Sequence, residues 1–255
     1  MSERFETKPG VRIPGPEDTR PKRFYETVTV EPGEAGWAVL LDGRGVKSPA
    51  RRSLALPCEP LARLVAEEWA AQGERIDAPA MPATRLCFVA LDRMDEAHAE
   101  TVAEVTKYAA TDLVCFRAPE PAELVAAQAA AWDPLLAWAE RALGAHFVAA
   151  AGVLPIAQDP VALQRVMARA DEQDIWRLTA LAHATAICGS AILGLALLDG
   201  EISGDEAFAL SSVDEAYQAS RWGEDAEAAE RLAVLKRELE AVEAMLRALD
   251  AEPAA

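Results

Sequence analysis

The sequence predicts an α+β fold in which a small N-terminal antiparallel β domain is followed by a larger all-helical domain. Runs of β-branched and aromatic residues separated by glycine turns occur before residue 57, and apolar residues recur at intervals of three and four after it. With 51% apolar residues in 255, the chain can bury a substantial core. We expect a flexible N-terminus over residues 1–21, the β domain over 22–57, with a boundary that could extend to residue 80, and the helical domain over 58–255.

The β domain is predicted from two apolar segments and two turns. Residues 24–30 (FYETVTV) and 37–41 (WAVLL) flank a Pro-Gly and Gly stretch, which is typical of a hairpin. A second turn at 42–45 (DGRG) contains residues that tolerate positive φ. Residues 46–48 and 54–56 can then continue the sheet.

Helical spacing begins at Pro57 and continues through the rest of the chain. Pro60 suits the first turn of a helix, and Asp159 before Pro160 predicts a capped helix start. Further helices are expected at 95–107, at 121–143 with a disturbance near Pro134, and at 160–170.

The last third of the chain predicts three long helices. Residues 178–198 carry no formal charge, but their alanine, threonine and histidine content and their acidic flanks favour a buried central helix over a membrane span. Gly200 can end that helix, and Ser203 with Glu206 forms a possible capping box for a helix reaching Trp222. After Gly223, a final helix should begin near 224.

The final helix carries a continuous apolar seam. Spacings of three and four place six side chains on one face, which must be covered by other apolar groups. Packing against the protein's own helices, homodimerisation and binding of a partner helix all satisfy this requirement. We expect a monomer, with a dimer possible through this helix. The seam consists of Leu232, Leu235, Leu239, Val242, Leu246 and Leu249.

Charge and cysteine usage restrict the classes of partner and the compartment. A net charge of -17 argues against binding of nucleic acid or of an anionic membrane. The four cysteines form no closely spaced pair, so they are interpreted as buried thiols in a reducing compartment. The first twenty residues resemble neither a signal peptide nor a transit peptide, which predicts a cytoplasmic, bacterial protein.

A search for catalytic or ligand-binding patterns finds no specific one. The three histidines are far apart in the sequence, no G-x-S-x-G elbow occurs, and Gly43-Arg44-Gly45 completes no phosphate-binding loop. The sequence therefore predicts no metal and no cofactor. Acid–base chemistry by paired carboxylates remains open, because the chain contains 42 acidic residues.

One helical stripe combines an acid with two aromatics. Glu215 lies seven residues from both Phe208 and Trp222, so a continuous helix would place all three side chains on one face. Such a stripe could be an interface patch, and Glu215 could equally form an internal salt bridge or lie solvated. Trp69 could likewise belong to the core or to an interface.

An ordered set of short motifs spans residues 22–223 and resembles a known family. No fragment is diagnostic alone, but the set in this order resembles the assembly chaperones that bind the α-subunit of the F-type ATP synthase, the ATP-twelve family. Ala83 and Cys87-Phe88 depart from the family pattern. The matching motifs include KRFY at 22–25, LDGR at 41–44, KSPA at 47–50, EW at 68–69, TDL at 111–113, Gln128, WDPLL at 132–136, SVDE at 212–215, YQ at 217–218 and WG at 222–223.

The resemblance implies a function and a set of site residues. It implies a chaperone of F1 assembly, with no enzymatic activity, that binds the unassembled α-subunit and prevents its aggregation. It also implies an important acid in the C-terminal domain, for which Asp214 and Glu215 are candidates and Glu215 is favoured. Together with the aromatic analysis, the predicted partner-binding residues are Phe208, Asp214, Glu215, Tyr217, Gln218, Trp222 and Trp69.

Two other classes of function stay open at this point. An enzyme using carboxylates in an interdomain cleft requires a deep pocket with convergent acids of perturbed pKa. A dimeric scaffold built on the apolar seam requires a stable dimer. A shallow apolar groove on a monomer would favour the chaperone.

Overall fold

The computed structural model describes residues 18–152, 157–223 and 225–251. Most of the predicted N-terminal segment 1–21, and residue 224 at the predicted start of the last helix, lie outside these ranges.

A four-stranded antiparallel sheet forms the N-terminal part, as predicted. The central strand β2 pairs with β1 along one edge and with both β3 and β4 along the other. Gly36 permits this arrangement, because its φ is +131° and a Cβ there would lie 2.4 Å from the carbonyl oxygen of Leu56. The strands are β1 (Val28–Gly33), β2 (Gly36–Leu41), β3 (Arg44–Gly45) and β4 (Ala55–Leu56).

The first strand begins four residues later than predicted, at Val28 rather than at Phe24. The preceding segment bonds to the first helix instead of to β2, since the Tyr25 hydroxyl donates to the carbonyl of Trp69 at 2.7 Å. Arg23 donates to the carbonyl of Gln72 at 2.5 Å. Tyr25 therefore belongs to the junction between sheet and helices.

Ten α-helices follow the sheet in the described ranges, with a short parallel pair of strands, β5 and β6, between them. Wide π turns at Ala90–Met94 and Ala139–Leu143 extend α2 into α3 and prolong α4. The elements are α1 (Glu59–Ala70), α2 (Pro82–Val89), α3 (Asp95–Ala110), β5 (Phe116–Arg117), α4 (Ala122–Trp138), β6 (Ala150–Ala151), α5 (Pro160–Asp171), α6 (Ile175–Cys188), α7 (Ala191–Leu198), α8 (Gly204–Ser211), α9 (Val213–Trp222) and α10 (Ala226–Asp250).

The predicted central helix at 178–198 is buried, but it is two helices rather than one. Gly189 adopts a left-handed φ of 63° and ends α6. The Ser190 hydroxyl oxygen then accepts from the backbone N–H of Leu193 and starts α7, all of which is buried. None of the helices in the described ranges is long and apolar enough to cross a membrane.

The predicted helix from Ser203 to Trp222 is likewise divided. Its capping box is confirmed, because Ser203 and Glu206 satisfy each other's backbone N–H groups. Ser212 leaves the helical conformation, with φ −113° and ψ 22°, so α8 ends before it and α9 begins after it. The prediction of one continuous helical stripe through Phe208, Glu215 and Trp222 is therefore wrong.

The helix predicted over 121–143 continues through Pro134 to Trp138, so the predicted disturbance does not lie at the proline itself. The irregularity comes five residues later, in the π turn that ends at the left-handed Gly144. At α5, Asp159 caps the N–H of Val161, as predicted.

The seam of α10 packs against the protein's own helices. Leu239, Val242 and Leu246 are buried, and α10 contacts α1, α2, α6 and α8. Gly204 allows α8 to approach, since a Cβ there would lie 2.6 Å from the carbonyl oxygen of Leu239. The seam therefore contributes to the core.

Sheet and helices share one continuous core. Buried residues of β2, α1, α6 and α10 belong to a single cluster, and α1 packs directly on β1 and β2. The expected fold class, a small antiparallel sheet followed by a larger helical part, is confirmed. The domain boundary at residue 57 stays a prediction.

Candidate partner-binding surface

Helix α9 carries five of the seven predicted site residues, and one buried amide attaches it to α4. The Gln128 side chain is only 2% exposed, and its Nε2 donates to Asp214 Oδ1 at 2.7 Å. Its Oε1 accepts from the backbone N–H of Ala118 at 2.7 Å. Gln128 thus connects α4, the segment after β5 and the start of α9.

A buried indole attaches the end of α8 in the same region. Trp132 Nε1 donates to the carbonyl oxygen of Leu210 at 2.8 Å, and the Arg117 guanidinium lies 5.2 Å from the Trp132 ring centroid. Gln128 and Trp132 occupy the same face of α4, four residues apart. This face of α4 therefore determines where α9 lies.

The outer face of α9 is open to solvent. Glu215 and Gln218 are exposed, and Trp222 is 79% exposed. Tyr217 is partly buried, with the Arg221 guanidinium 5.4 Å from its ring centroid. An exposed indole beside polar groups is the composition that protein interfaces favour.

The two acids of the SVDE motif have different surroundings. Asp214 is partly buried and accepts the hydrogen bond from Gln128. Glu215, the next residue along α9, projects into solvent. The structure thus separates one acid that is bonded within the protein from one that is available to a partner.

The remaining two predicted residues lie on other helices. Phe208 is on α8, partly buried and packed against the core. Trp69 is on α1, with its ring centroid 5.7 Å from that of Tyr25, and α1 packs against β1, β2 and α10. Trp69 therefore contributes to the junction between the sheet and the helices.

One buried and one partly buried carboxyl group have raised pKa values, and both cap helices. Burial raises the pKa of Asp112 to about 6, although the carboxylate accepts from the backbone N–H of Ile192 at the start of α7. Burial also raises the pKa of Glu68, which accepts from the N–H groups of Ala83 and Thr84 at the start of α2. Their oxygens are thus engaged by the protein itself.

An acid-lined cavity of ≈ 300 Å³ lies beside the loop between α7 and α8. Its carboxylates are bonded within the chain: Asp199 pairs with Arg169, and Glu243 accepts from the N–H of Gly204. The described ranges contain no cluster of three or more metal-ligating side chains.

A shallow apolar groove runs between the π turn at Ala90–Met94, α3 and α6. Its two sections have volumes of ≈ 460 Å³ and ≈ 310 Å³ and share Val89, Met94 and Ala182 as lining residues. Val89 is 44% exposed. Exposed apolar surface of this kind is typical of sites where proteins interact.

Comparison with known proteins places this chain in the class of molecular chaperones. The family model described as ATP12 chaperone protein matches residues 22–140. "Protein atp12, mitochondrial" of Schizosaccharomyces pombe is 26% identical over 235 residues, which cover 86% of this chain and 78% of that protein.

Solved structures extend the likeness over most of the fold. The crystal structure of Atp12 from Paracoccus denitrificans is 41% identical, with a TM-score of 0.84 over 89% of this chain and 98% of that chain. An aspartate-to-lysine variant of the P. denitrificans protein is 40% identical, with a TM-score of 0.83 over 89% and 97% of the two chains.

The chain belongs to the ATP12 chaperone family. This confirms the family that the ordered motifs resembled, and with it the expected function, a chaperone in the assembly of the F1 sector of ATP synthase.

Proposed function

We propose that the chain binds the unassembled α-subunit of F1 and covers its apolar contact surface until another subunit replaces the chaperone. Family membership supports this proposal, as does the exposed face of α9 with Glu215, Gln218 and Trp222. An unassembled subunit exposes apolar area intended for its neighbour, and a transient cover prevents nonspecific association.

Within this proposal, Trp222 is the apolar anchor and Glu215 the charged contact. The exposure of the Trp222 indole, 79%, is the single observation that carries the assignment. Asp214 then acts as a positioning residue, because its carboxylate holds α9 to Gln128. Tyr217 and Gln218 would contribute contacts beside the anchor.

Release by competition fits this surface. Every residue of α9 is at least partly exposed, so a partner of the α-subunit that buries more matched area can displace it. The acidic surface of the chain would chiefly set the encounter rate and its dependence on salt. We further propose that the chain acts as a monomer in the cytoplasm, which the four free thiols and the buried seam of α10 support.

Co-purification of the α-subunit from the native cell extract tests the proposal. Glu215→Lys and Trp222→Ala should each reduce the yield of α-subunit at least about tenfold, as expected for an interface centre. Glu230→Lys, the same charge change at an exposed site on α10, is the matched control and should retain the α-subunit. Helical circular dichroism should be equal in all the proteins.

Two results would count against the proposal in different ways. Undiminished recovery by Glu215→Lys and Trp222→Ala would remove α9 from the interface. Failure of the wild-type chain to enrich the α-subunit over other proteins would remove the partner itself.

A further inference from the structure

A basic loop lies in the sheet of this acidic protein. Residues 43–58 contain Arg44, Lys47, Arg51 and Arg52 and no carboxylate, whereas the whole chain has a net charge of -17. All four side chains are exposed. The adjoining π turn adds the exposed side chain of Arg93. We call the surface formed by these five cations the basic loop.

Backbone and side-chain hydrogen bonds hold the basic loop in one conformation. The N–H of Ser48 donates to the carbonyl of Arg52 at 2.9 Å, which closes a tight turn. The Asp92 carboxylate, beside Arg93, accepts from the N–H of Ala50 at 3.0 Å. Arg52 Nη1 donates to the carbonyl of Leu91 at 2.7 Å. The loop is therefore fixed to the π turn before any partner binds, which lowers the entropic cost of binding.

Two carboxylates adjoin the loop, Asp42 in the sequence and Asp92 through hydrogen bonds, and both accept from backbone N–H and hydroxyl groups. Asp42 accepts from Thr27 and Glu26, and the hydrogen bonds from Thr27 lower its pKa. Asp92 accepts from Ser48 and Ala50. Over the described ranges, none of the five cations of the basic loop lies within 4.0 Å of a carboxylate oxygen.

We propose that the basic loop binds a short acidic segment of a partner polypeptide. Guanidinium groups pair with carboxylates in bidentate geometry, and four of the five cations are arginines. This surface is distinct from α9 and does not depend on the identity of the partner bound there.

The negative charge of the remaining surface favours binding of a short acidic segment over binding of an extended polyanion. At physiological ionic strength the Debye length is about 8 Å, so a few carboxylates seated on the loop sense mainly the loop. A nucleic acid or an anionic bilayer would also face the rest of a chain with net charge -17. A polypeptide with a local run of Asp or Glu is attracted by the loop and avoids repulsion by the rest of the chain.

Nuclear magnetic resonance titration of the ¹⁵N-labelled chain with a short oligoglutamate peptide tests the proposal. We expect chemical-shift changes at 43–53 and 91–94, and weaker binding as salt is added. The double variant Lys47→Glu with Arg51→Glu should weaken binding about tenfold or more, because it replaces two attractions with repulsions. Both side chains are exposed, so the variant should fold.

The matched control carries the same change in net charge on α10. Arg231→Glu with Arg237→Glu, both at exposed positions, should leave the affinity within about twofold of wild type. Equal weakening by the two double variants would overturn the proposal, since net charge alone would then explain binding. Equal binding of oligoglutamine, or shifts outside the basic loop, would also overturn it.

Two further probes separate the sources of negative charge. Vesicles containing phosphatidylglycerol and inorganic phosphate should bind more weakly than the peptide, measured per negative charge. Preferential binding of either would replace the acidic polypeptide segment with a membrane or a phosphate ligand and refute the proposal as stated.

Discussion

Replacing Gln128 with alanine should detach α9 while the core stays folded. The buried Gln128 amide donates to Asp214 at 2.7 Å and accepts from the N–H of Ala118 at 2.7 Å, and it thereby joins α4 to α9. Every residue of α9 is at least partly exposed, so its attachment depends strongly on such bonds. By contrast, α7 is wholly buried.

The free energy lost in Gln128→Ala follows from the two hydrogen bonds of the amide. A bond to a charged acceptor contributes about 1.5–3 kcal/mol, and the lost acceptor for Ala118 adds about 1 kcal/mol. The opening free energy of α9 should therefore fall by about 1.5–3 kcal/mol, which corresponds to roughly a tenfold to hundredfold faster amide exchange. The global free energy of unfolding should fall by the sum of both contributions, about 2.5–4 kcal/mol.

Hydrogen–deuterium exchange measured by mass spectrometry on peptides covering 213–222 provides the assay. Asp214→Asn should speed exchange less than Gln128→Ala, because the amide oxygen of asparagine can still accept the bond. Glu215→Gln is the control and should leave the exchange rate unchanged, since this side chain lies in solvent. Wild-type exchange of α9 in Gln128→Ala would refute the reasoning.

Three further predictions concern stability. Burial raises the pKa of Asp112 from 3.8 to about 6, so the folded state binds this proton more tightly and loses stability as the pH rises through that range. The free energy of unfolding of Asp112→Asn, relative to that of wild type, should therefore increase by about 3 kcal/mol in total as the pH rises. About half of this increase should fall between pH 5 and 8, as measured by urea unfolding. Gly194→Ala should cost about 1–3 kcal/mol, because its Cβ would lie 2.5 Å from Thr185 Oγ1, and adding Thr185→Ala should recover part of the thermal midpoint. Leu239→Ala should cost about 2–5 kcal/mol with a urea midpoint independent of protein concentration, and a concentration-dependent midpoint would indicate that the seam forms a dimer instead.

Local signals in the sequence predicted helix starts well. Asp159 and Ser203 were identified as caps because a cap needs only a side-chain oxygen and an N–H two or three residues further along the chain. The end of α7 at Gly200 was predicted for a similar reason, since its φ of 69° suits glycine. Such features require no knowledge of the tertiary structure.

Helix breaks inside apolar or amphipathic runs were missed. Gly189 and Ser190 divide the uncharged segment, yet the apolar pattern continues on both sides and predicts one helix. The adjacent glycine and serine were a stop-and-cap signal that the pattern obscured. At Ser212 the backbone leaves the helical conformation, so the stripe drawn from spacing alone crossed two helices.

The acid-bearing helix of the site was predicted, but its support was not. Gln128 appeared among the family motifs without a role, and its bond to Asp214 spans 86 residues of sequence. No spacing rule connects positions so far apart. A polar residue on the buried face of an alanine-rich helix was the available signal, because a buried amide requires partners.

The distribution of burial separates the part of the chain that maintains the fold from the part proposed to bind the partner. Helices α6, α7 and α10 bury large aliphatic side chains in one core. By contrast, α9 presents an exposed indole, and its polar bonds to α4 are those of Asp214 with Gln128 and of Arg221 with Glu123. A change at the attachment should therefore open α9 in molecules whose core stays folded. If Gln128→Ala lost partner binding without faster amide exchange in α9, this separation would be wrong.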